Sequence, residues 1–442
     1  MKKFFLGAVF ALFLSLAWTP GVSATDGHFL HGVGAINSAM GGVGVAGAKD
    51  DVLGALYHNP AGLMAFYGHH AALSMELFKP DRTLEATAPT PGGPFAGSQQ
   101  SKSEFVPIPA FGWSSEVIED KLVIGFGGLG IGGFGVDYRQ NSQHPLLMPE
   151  SMGGFGNVFS NFSLLKVSPA IAFSASENLW IGVAANIDWA SLAVDPFPAA
   201  DPDITPEGAF YPSATSSATT FGFGFQAGLI YKVTQALNLG LAYTSKQHFN
   251  DFTWNSTNAN PTDPEFGTHR EFSFNLNAPA IIAGGLSLQA TDKLFVAADA
   301  KYYMYSSTEG FDQDGFGPTG AVQGFGWDDI KVFALGSQNQ ATPRFTLRAG
   351  YNYSDNPIPE ENSFFNVSAP AVIQHHASFG AGFELVDGED LSAAYYRAFE
   401  SEVTGPLYSP AYEMGQVGVP GSNVTSRMFE DSFVMQFSFH HH

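Results

Sequence analysis

Apolar residues alternate with small or polar residues along most of the chain. Near the middle, Phe221, Phe223 and Phe225 alternate with Gly222 and Gly224. Successive side chains of a β-strand point to opposite faces, so this period of two predicts strands with one apolar face. Similar alternation occurs in the stretches 237–246, 294–302, 345–353 and 433–439.

The alternating stretches predict fourteen strands. Their ranges are 68–79, 104–115, 121–131, 162–175, 179–191, 218–231, 237–250, 270–288, 293–306, 328–336, 344–354, 375–386, 390–400 and 429–439. Short turns and long loops alternate between them, as in bacterial outer-membrane barrels, whereas a soluble β-sandwich has no reason to alternate its connections. We therefore predict an all-β fold, a 14-stranded antiparallel transmembrane β-barrel over residues 68–439 with both termini in the periplasm.

The composition supports a surface that faces lipid. The chain has 50 Gly, 41 Phe and 15 Tyr, and 14% of its residues are charged, whereas about 25% is usual in soluble domains. A lipid-facing barrel needs an apolar outer surface with aromatic rings at both interfaces. The net charge of −22 disfavours nucleic acid as a partner, and the lack of Cys excludes disulfides and thiolate metal sites.

The N-terminal residues predict an export signal. Lys2 and Lys3 precede an apolar stretch, 4–18, that is shorter than the ~20 residues a membrane-spanning helix needs. A cleavage site of small residues follows this stretch. We therefore predict a signal peptide over residues 1–24 and a mature chain that begins at Thr25.

The last predicted strand ends on an aromatic residue. Phe433, Met435, Phe437 and Phe439 alternate with smaller or polar residues, and outer-membrane barrels resemble this ending. The three histidines at 440–442 break the alternation, so we interpret them as the remainder of a purification tag.

Residues 25–67 do not follow the strand pattern. They contain two Gly-rich stretches, an acidic pair at 50–51, a short helical run at 52–57 and the sequence Asn59-Pro60-Ala61. A leader of about 40 residues at the periplasmic side of a barrel must either extend away from it or fold into the lumen. Because its residues are small and apolar, we predict that it packs inside as a plug, or hatch.

These motifs together resemble the FadL-type family of outer-membrane transporters for long-chain fatty acids and aromatic hydrocarbons. The family's hatch shares an Ala-Met-Gly-Gly element, an acidic pair and an Asn-Pro-Ala motif at this spacing, and further matches lie in the predicted strands. The matching segments are 39–42, 50–51, 59–63, 106–107, 111–112, 241–246, 348–351, 357–359 and 380–383. The resemblance therefore spans the mature chain.

The resemblance implies passive uptake of hydrophobic small molecules, such as long-chain fatty acids or hydrocarbons. In that family the hatch closes the bore, and the cargo is captured near the outer surface. The cargo then leaves sideways by lateral diffusion through an opening in the barrel wall, where the third strand kinks inward. The resemblance also implies that Asn59, Pro60 and Ala61 form the hatch motif.

The predicted third strand, 121–131, is rich in glycine. Glycine in a strand removes side chains and permits a bulge or a kink. We therefore predict that Gly127, Gly128 and Gly130 form the lateral opening. The alternative is that the barrel simply tolerates glycine here, as it does at Gly222.

Polar and charged residues occupy the predicted inward face of several strands. They are Lys166, Asn186, Asp188, Gln226, Lys246, His248, Asp299, Lys301, Arg348, His376 and Glu384. Family members that bind fatty acids use basic lumen residues, so the resemblance implies Lys246 and Arg348 as candidates for binding a carboxylate. The alternative is a balanced network of acids and bases that only rigidifies the barrel. An uncharged hydrocarbon would need no basic residue.

We expect no metal, no cofactor and no catalytic residues. His69 and His70 are adjacent in a predicted strand, so their side chains point to opposite faces and cannot chelate one metal. Asp312 and Asp314 resemble the start of a calcium loop, but Gln323 stands where the bidentate Glu should be, so a loop cation is only an alternative. The chain has no Gly-x-Ser-x-Gly nucleophile motif.

Two other functions stay open. A general diffusion porin would not need an apolar hatch, and an outer-membrane lipid-modifying enzyme would need a nucleophile and a base presented together. As partners we expect a hydrophobic small molecule, outer-membrane lipid and lipopolysaccharide. We expect no nucleic acid partner and a monomeric protein.

Overall fold

A computed structural model describes residues 26–47, 49–102, 104–205, 208–258, 264–409 and 412–441. The predicted signal peptide, residues 1–24, and the predicted mature N-terminus, Thr25, lie outside the described residues. None of the described helices is long and apolar enough to cross a membrane.

Fourteen antiparallel strands close into a single barrel, which confirms the predicted fold. Each strand pairs with the next along the chain, and the barrel closes where the last strand pairs with the first. The strands are β1 (His69–Thr90), β2 (Val106–Ile118), β3 (Leu122–Tyr138), β4 (Val158–Ser176), β5 (Leu179–Asp195), β6 (Ala214–Lys232), β7 (Leu237–Thr244), β8 (Ile281–Gln289), β9 (Leu294–Tyr303), β10 (Ile330–Thr342), β11 (Phe345–Ser354), β12 (His375–Val386), β13 (Glu389–Gly405) and β14 (Asn423–His441).

The outer surface of the barrel is apolar. Phe221 and Phe223 on β6 and Phe433 and Met435 on β14 are each more than half exposed, whereas Val434 is buried. The alternation in the sequence therefore separates an outward apolar face from an inward face, as a strand in lipid requires. Strand β14 continues through residues 440–441, which pair with β1; their assignment to a tag stays a prediction.

The barrel has two different ends. Six short connections lie at one end, which we call the turn end: 119–121, 177–178, 233–236, 290–293, 343–344 and 387–388. The long connections lie at the other end, which we call the loop end. Their described strands are Gly93–Gln100, Asp203–Thr205, Gly208–Phe210, His248–Phe249, Phe252–Thr257 and His269–Phe274, and their 3-10 helices are Glu150–Met152, Tyr305–Ser307, Glu360–Asn362, Phe364–Asn366 and Glu413–Gly415.

The eighth predicted strand, 270–288, is wrong as a single element. Its first part, His269–Phe274, pairs with Phe252–Thr257 in a hairpin at the loop end, and the barrel strand begins only at Ile281. Both parts show strand alternation, so the pattern alone cannot separate them. The hairpin is stabilised by aromatic packing, since the ring centroids of Phe197 and Phe272 are 5.0 Å apart.

The lumen is filled by residues 26–67, which we call the hatch. It contains helix α1 (Ala35–Ala39), helix α2 (Val52–His58) and the 3-10 helix Pro60–Ala65. Leu53 and Leu56 of α2 are fully buried. The prediction that a hatch packs inside the barrel is therefore confirmed.

Glycines in the barrel wall make room for the hatch. A Cβ atom on Gly182 would lie 2.2 Å from the backbone nitrogen of Ala61, and one on Gly240 would lie 2.0 Å from the carbonyl oxygen of Val45. Both distances are too short for a real contact, so backbone approaches backbone only because these wall positions have no side chain. Part of the high glycine content thus serves hatch packing.

Candidate functional site

Asn59 ties two parts of the hatch to each other and to the wall. Its Nδ2 donates to the carbonyl oxygens of Val45, at 2.7 Å, and of Leu229 on β6, at 3.2 Å. Its Oδ1 accepts from the N–H of Ala61 at 3.0 Å and so caps the 3-10 helix that Pro60 begins. The three residues predicted as the hatch motif thus form one buried junction.

Two charged residues of β9 hold a second part of the hatch. The Oδ2 atom of Asp299 accepts from the backbone N–H groups of Gly44, at 2.7 Å, and Val45, at 3.0 Å. Lys301, two residues further on the same face, donates to the carbonyl oxygen of Gly42 at 2.9 Å. Charge-assisted bonds of this kind fix the hatch segment 42–45 against the wall.

The wall is interrupted between β2 and β3. Ala110 and Leu129 are the last residues at which the two strands pair with each other. Beyond them the only barrel strand that pairs with β3 is β4, and the only one that pairs with β2 is β1. Pro107 and Pro109 of β2 have no N–H groups and cannot complete a second ladder.

The interruption is bounded at both ends. Towards the turn end it stops at the pair Ala110–Leu129, and towards the loop end it stops where the N–H of Lys102 donates to the carbonyl oxygen of Asp137 at 2.9 Å. We call the space between these limits the β2–β3 window. Within it, both faces of β3 are buried, in contrast to the alternating exposure elsewhere in the barrel.

The hatch supplies a partner for β3 inside the window. The N–H of Leu30 donates to the carbonyl oxygen of Ile131, and the N–H of Gly133 donates to the carbonyl oxygen of His28, both at 2.9 Å. The β3–β4 register shifts between Gly130 and Gly132, which is a bulge that bends the strand. The first described residues of the hatch therefore lie against the open edge of β3.

The predicted glycines lie at or just below the window. Gly127 and Gly128 still pair with β2, whereas Gly130 lies past the last pair. A Cβ atom on Gly130 would lie 2.5 Å from Cγ2 of Ile108, so the two strands touch side chain to backbone there. Gly132 was not predicted, yet a Cβ atom on it would lie 2.1 Å from the carbonyl oxygen of His28. Prolines in β2 opposite the glycine run of β3 are the sequence signal for this site.

A cavity lies in the lumen beside the window. Phe29 and Ile131 line it on the window side. Its wall also carries Lys166 and Asp188, which face each other across β4 and β5 and are both buried. Both residues were predicted to face the lumen, and the structure brings them into one site.

A second cavity lies among the long loops. Its lining is largely apolar and aromatic, and includes Phe155, Tyr211, Phe316, Phe364 and Phe365. These residues come from four different loops or their edges, so sequence patterns gave no sign that they would meet.

Lys246 does not lie in the lumen. Strand β7 ends at Thr244, and the pairing with β6 then shifts by one residue, so that Lys246 is moved to the rim of the loop end. There its Nζ lies 2.9 Å from Oε2 of Glu309. Asn277 also donates to this carboxylate, at 2.9 Å. The pKa of Glu309 is lowered to about 2, chiefly by the hydrogen bond from Asn277 and further by the backbone N–H of Glu309 and by Lys246.

Arg348 lies near the turn end, far from Lys246. Its Nε donates to Oε1 of Gln338 at 2.8 Å, and the side chain lines a polar cavity together with Asp50 of the hatch. The structure therefore does not bring the two basic residues together around one carboxylate. Their role in substrate binding stays a prediction.

Other predicted side chains are placed as follows. His248, predicted to face inward, is exposed because of the same register shift after Thr244. His376 is buried, and its ring stacks on His31 of the hatch with centroids 5.2 Å apart. Across the described residues, no group of three or more His, Asp or Glu side chains is arranged to hold a metal ion.

Comparisons with known proteins agree with this architecture. The model of the family described as outer membrane protein transport protein (OMPP1/FadL/TodX) matches residues 26–412. No curated protein matched the chain in a sequence search.

Solved structures of several transporters are similar in fold. A FadL homologue of Pseudomonas aeruginosa is 19% identical, with a TM-score of 0.69, and the match covers 93% of this chain and 98% of that one. The toluene transporter TodX of P. putida is 19% identical, with a TM-score of 0.66 and coverage of 93% and 100%. The toluene transporter TbuX of Ralstonia pickettii is 20% identical, with a TM-score of 0.61 and coverage of 93% and 99%.

Proposed function

Because the chain belongs to the OMPP1/FadL/TodX family of outer membrane transport proteins, we propose that it takes up small hydrophobic molecules by passive diffusion and releases them sideways through the β2–β3 window. In this proposal the loop end faces the outside and both termini are periplasmic. Relatives of similar fold include toluene transporters and a FadL homologue, so hydrocarbons and fatty acids are the substrate classes to test.

The physical properties of the cargo favour a sideways exit. Moving apolar surface into water costs about 25 cal/mol per Å², so a hydrophobe gains nothing from a water-filled pore. The packed hatch also leaves no open axial bore through the part of the barrel where Leu53 and Leu56 are buried. A route from the loop-end cavity to the lumen cavity and out through the wall shields the molecule from bulk water.

The observation that carries the proposal is the separation of β3 from β2. Beyond the pair Ala110–Leu129 the neighbouring strands share no ladder, and the edge of β3 is covered from inside by the hatch. The lumen cavity reaches this place through Phe29 and Ile131. A general diffusion porin would have no use for this arrangement.

A reversible crosslink across the window tests the route. A Cβ atom on Gly130 would lie 3.9 Å from Cβ of Ile108, within the range of about 3.5–4.5 Å that a disulfide requires. The chain has no Cys of its own, so the double variant Ile108→Cys/Gly130→Cys contains only the engineered pair. We expect the oxidised protein to lose uptake of radiolabelled toluene and oleate, and dithiothreitol to restore it.

The reduced double variant serves as the control, since it carries the same two side chains without the crosslink. Complete oxidation, checked by mass spectrometry, together with unchanged uptake of both compounds would show that cargo does not leave through this window.

A further inference from the structure

We propose that the preferred cargo carries a hydroxyl group, and that Asp188 and Lys166 bind this group in the lumen cavity. The inference rests on the proposed transport function and names the chemical class of the molecule that the cavity takes. The expected cargo is an uncharged amphipathic hydrophobe, such as an alkylphenol or an aliphatic alcohol.

The geometry of Lys166 and Asp188 supports this inference. Lys166 on β4 and Asp188 on β5 are cross-strand partners in register, 4% and 0% exposed. Buried ions of opposite charge normally form a direct ion pair. No ion pair joins these two within the described part of the chain. Instead the Nζ of Lys166 lies 3.4 Å from the carbonyl oxygen of Leu56 and 5.3 Å from the ring centre of Tyr57.

The carboxylate of Asp188 is available for a ligand. Among the described residues, none donates a hydrogen bond to either of its oxygens, although the residue lines the cavity. A buried carboxylate without donors is costly, so the site favours a molecule that supplies one. The cross-strand ammonium is the group that would complete the site on the other side.

Neighbouring amides extend the polar wall. Asn186 lies two residues before Asp188 and therefore faces the same side; its Oδ1 accepts from Ser168 at 3.2 Å, and its Nδ2 has no acceptor among the described residues. Gln226 donates to the carbonyl oxygens of Tyr57 and His58, at 3.0 and 2.8 Å. Its Oε1 accepts from no described residue. The cavity thus offers donors and acceptors side by side.

Three kinds of head group differ in how they would pair with Asp188 and Lys166. An uncharged hydrocarbon such as an alkylbenzene would leave the carboxylate of Asp188 without a donor. A carboxylate would accept from Lys166 but would place a second anion beside Asp188. A hydroxyl can donate to Asp188 and accept from Lys166 at once. Its apolar remainder would then lie against Phe29 and Ile131 on the window side.

Calorimetric binding to the purified full chain in detergent at pH 7 tests the proposal. The probes are 4-butylphenol, butylbenzene and 4-butylbenzoate, which share one apolar part and differ in the head group. We expect 4-butylphenol to bind at least about tenfold more tightly than either of the others. In the double variant Lys166→Met/Asp188→Leu, which preserves the balance of charge, this preference should disappear. Glu384→Gln is the control, because Glu384 lines the polar cavity near the turn end together with Arg348. This variant should keep the preference for 4-butylphenol.

The outcomes separate the inference from the proposed function. Equal binding of 4-butylphenol and butylbenzene to the wild-type chain would overturn the hydroxyl site while leaving hydrophobe transport in place. Tightest binding of 4-butylbenzoate would overturn it in favour of a cationic site at Lys166. If none of the three binds and none is taken up by proteoliposomes, both the inference and the transport proposal fail. The wild-type comparison needs no variant, so it stands even if the double variant does not fold.

Discussion

The backbone N–H of Leu30 in the hatch donates to the carbonyl oxygen of Ile131 in β3 at 2.9 Å. This bond gives the edge of β3 the partner that β2 no longer provides beyond Leu129. Because an unpaired strand edge is unfavourable in an apolar setting, the hatch and the window are coupled. Any movement of the hatch segment 26–30 exposes the edge of β3 to the lumen.

The glycines at the window are expected to be required for transport. Valine at Gly128 and Gly130 would add side chains at the edge of the window, where a Cβ atom on Gly130 already lies 2.5 Å from Ile108. We expect Gly128→Val/Gly130→Val to abolish growth on a hydrophobic carbon source while surface expression stays normal. Gly284→Val on β8 is the control, because the nearest atom to its Cβ is 4.0 Å away. Wild-type growth of the double variant would argue for an axial path past the hatch.

Removal of the hatch is expected to open the barrel without unfolding it. The fourteen strands close by pairing among themselves, and no hatch residue is needed for that closure. Deletion of residues 25–67 should therefore leave a heat-modifiable band on gels and give a conducting pore in planar bilayers. The wild-type chain, in which the hatch fills the lumen, should conduct little. Equal conductance of the two proteins would contradict the plugging role.

The Asn59 junction is expected to control the hatch and not the barrel. Asn59→Ala removes the donor to Val45 and Leu229 and the acceptor for the N–H of Ala61. Loss of these bonds in the buried junction should cost about 1–3 kcal/mol of hatch docking. We expect altered uptake with unchanged heat-modifiable mobility. Gly228→Ala approaches the same junction from the wall, since a Cβ atom there would lie 2.0 Å from Oδ1 of Asn59. Loss of the folded band in both variants would assign the motif a purely structural role.

The Glu309 contacts predict a pH dependence of the loop end. The pKa of Glu309 is lowered from the usual 4.5 to about 2 because Asn277 and Lys246 donate to its carboxylate. A folded-state pKa below the unfolded value means that the stabilisation is present above about pH 4.5 and is lost as the pH falls toward 2.

Scanning fluorimetry of wild type and Glu309→Gln across this range measures the effect. The difference in Tm between wild type and Glu309→Gln should be constant near neutral pH and should shrink as the pH falls from about 4.5 toward 2. Glu119→Gln, at an exposed turn, should show no such trend. A difference that does not change with pH would contradict the ionic origin of the contact.

The number of barrel strands was predictable because lipid outside and packed residues inside impose a period of two on each strand. The same period of two gives a wrong prediction at 270–288, because the strands of a hairpin at the loop end also alternate. Its Phe272 packs on Phe197 from another loop and not on the wall. Which alternating stretch joins the barrel is a question of long-range pairing that a local pattern cannot answer.

The position of Lys246 shows a second limit of prediction from local alternation. Counting by twos from Asn238 places it in the lumen, but a shift of one residue after Thr244 moves it to the rim beside Glu309. One extra residue in a strand reverses the faces of everything that follows. The sequence contains no marker of this shift that could be recognised in advance.

Local periodicity and short motifs were enough to predict the barrel, its strand number, the hatch motif and the glycine-rich third strand. Two features were visible only in the folded structure. The hatch pairs with β3 beyond the last β2–β3 pair, and Lys166 and Asp188 face each other without touching. The bond between Leu30 and Ile131 joins residues about a hundred positions apart in the chain, and the placement of Lys166 opposite Asp188 depends on the register between β4 and β5. Such contacts are set by the closure of the whole barrel, and so no local pattern encodes them.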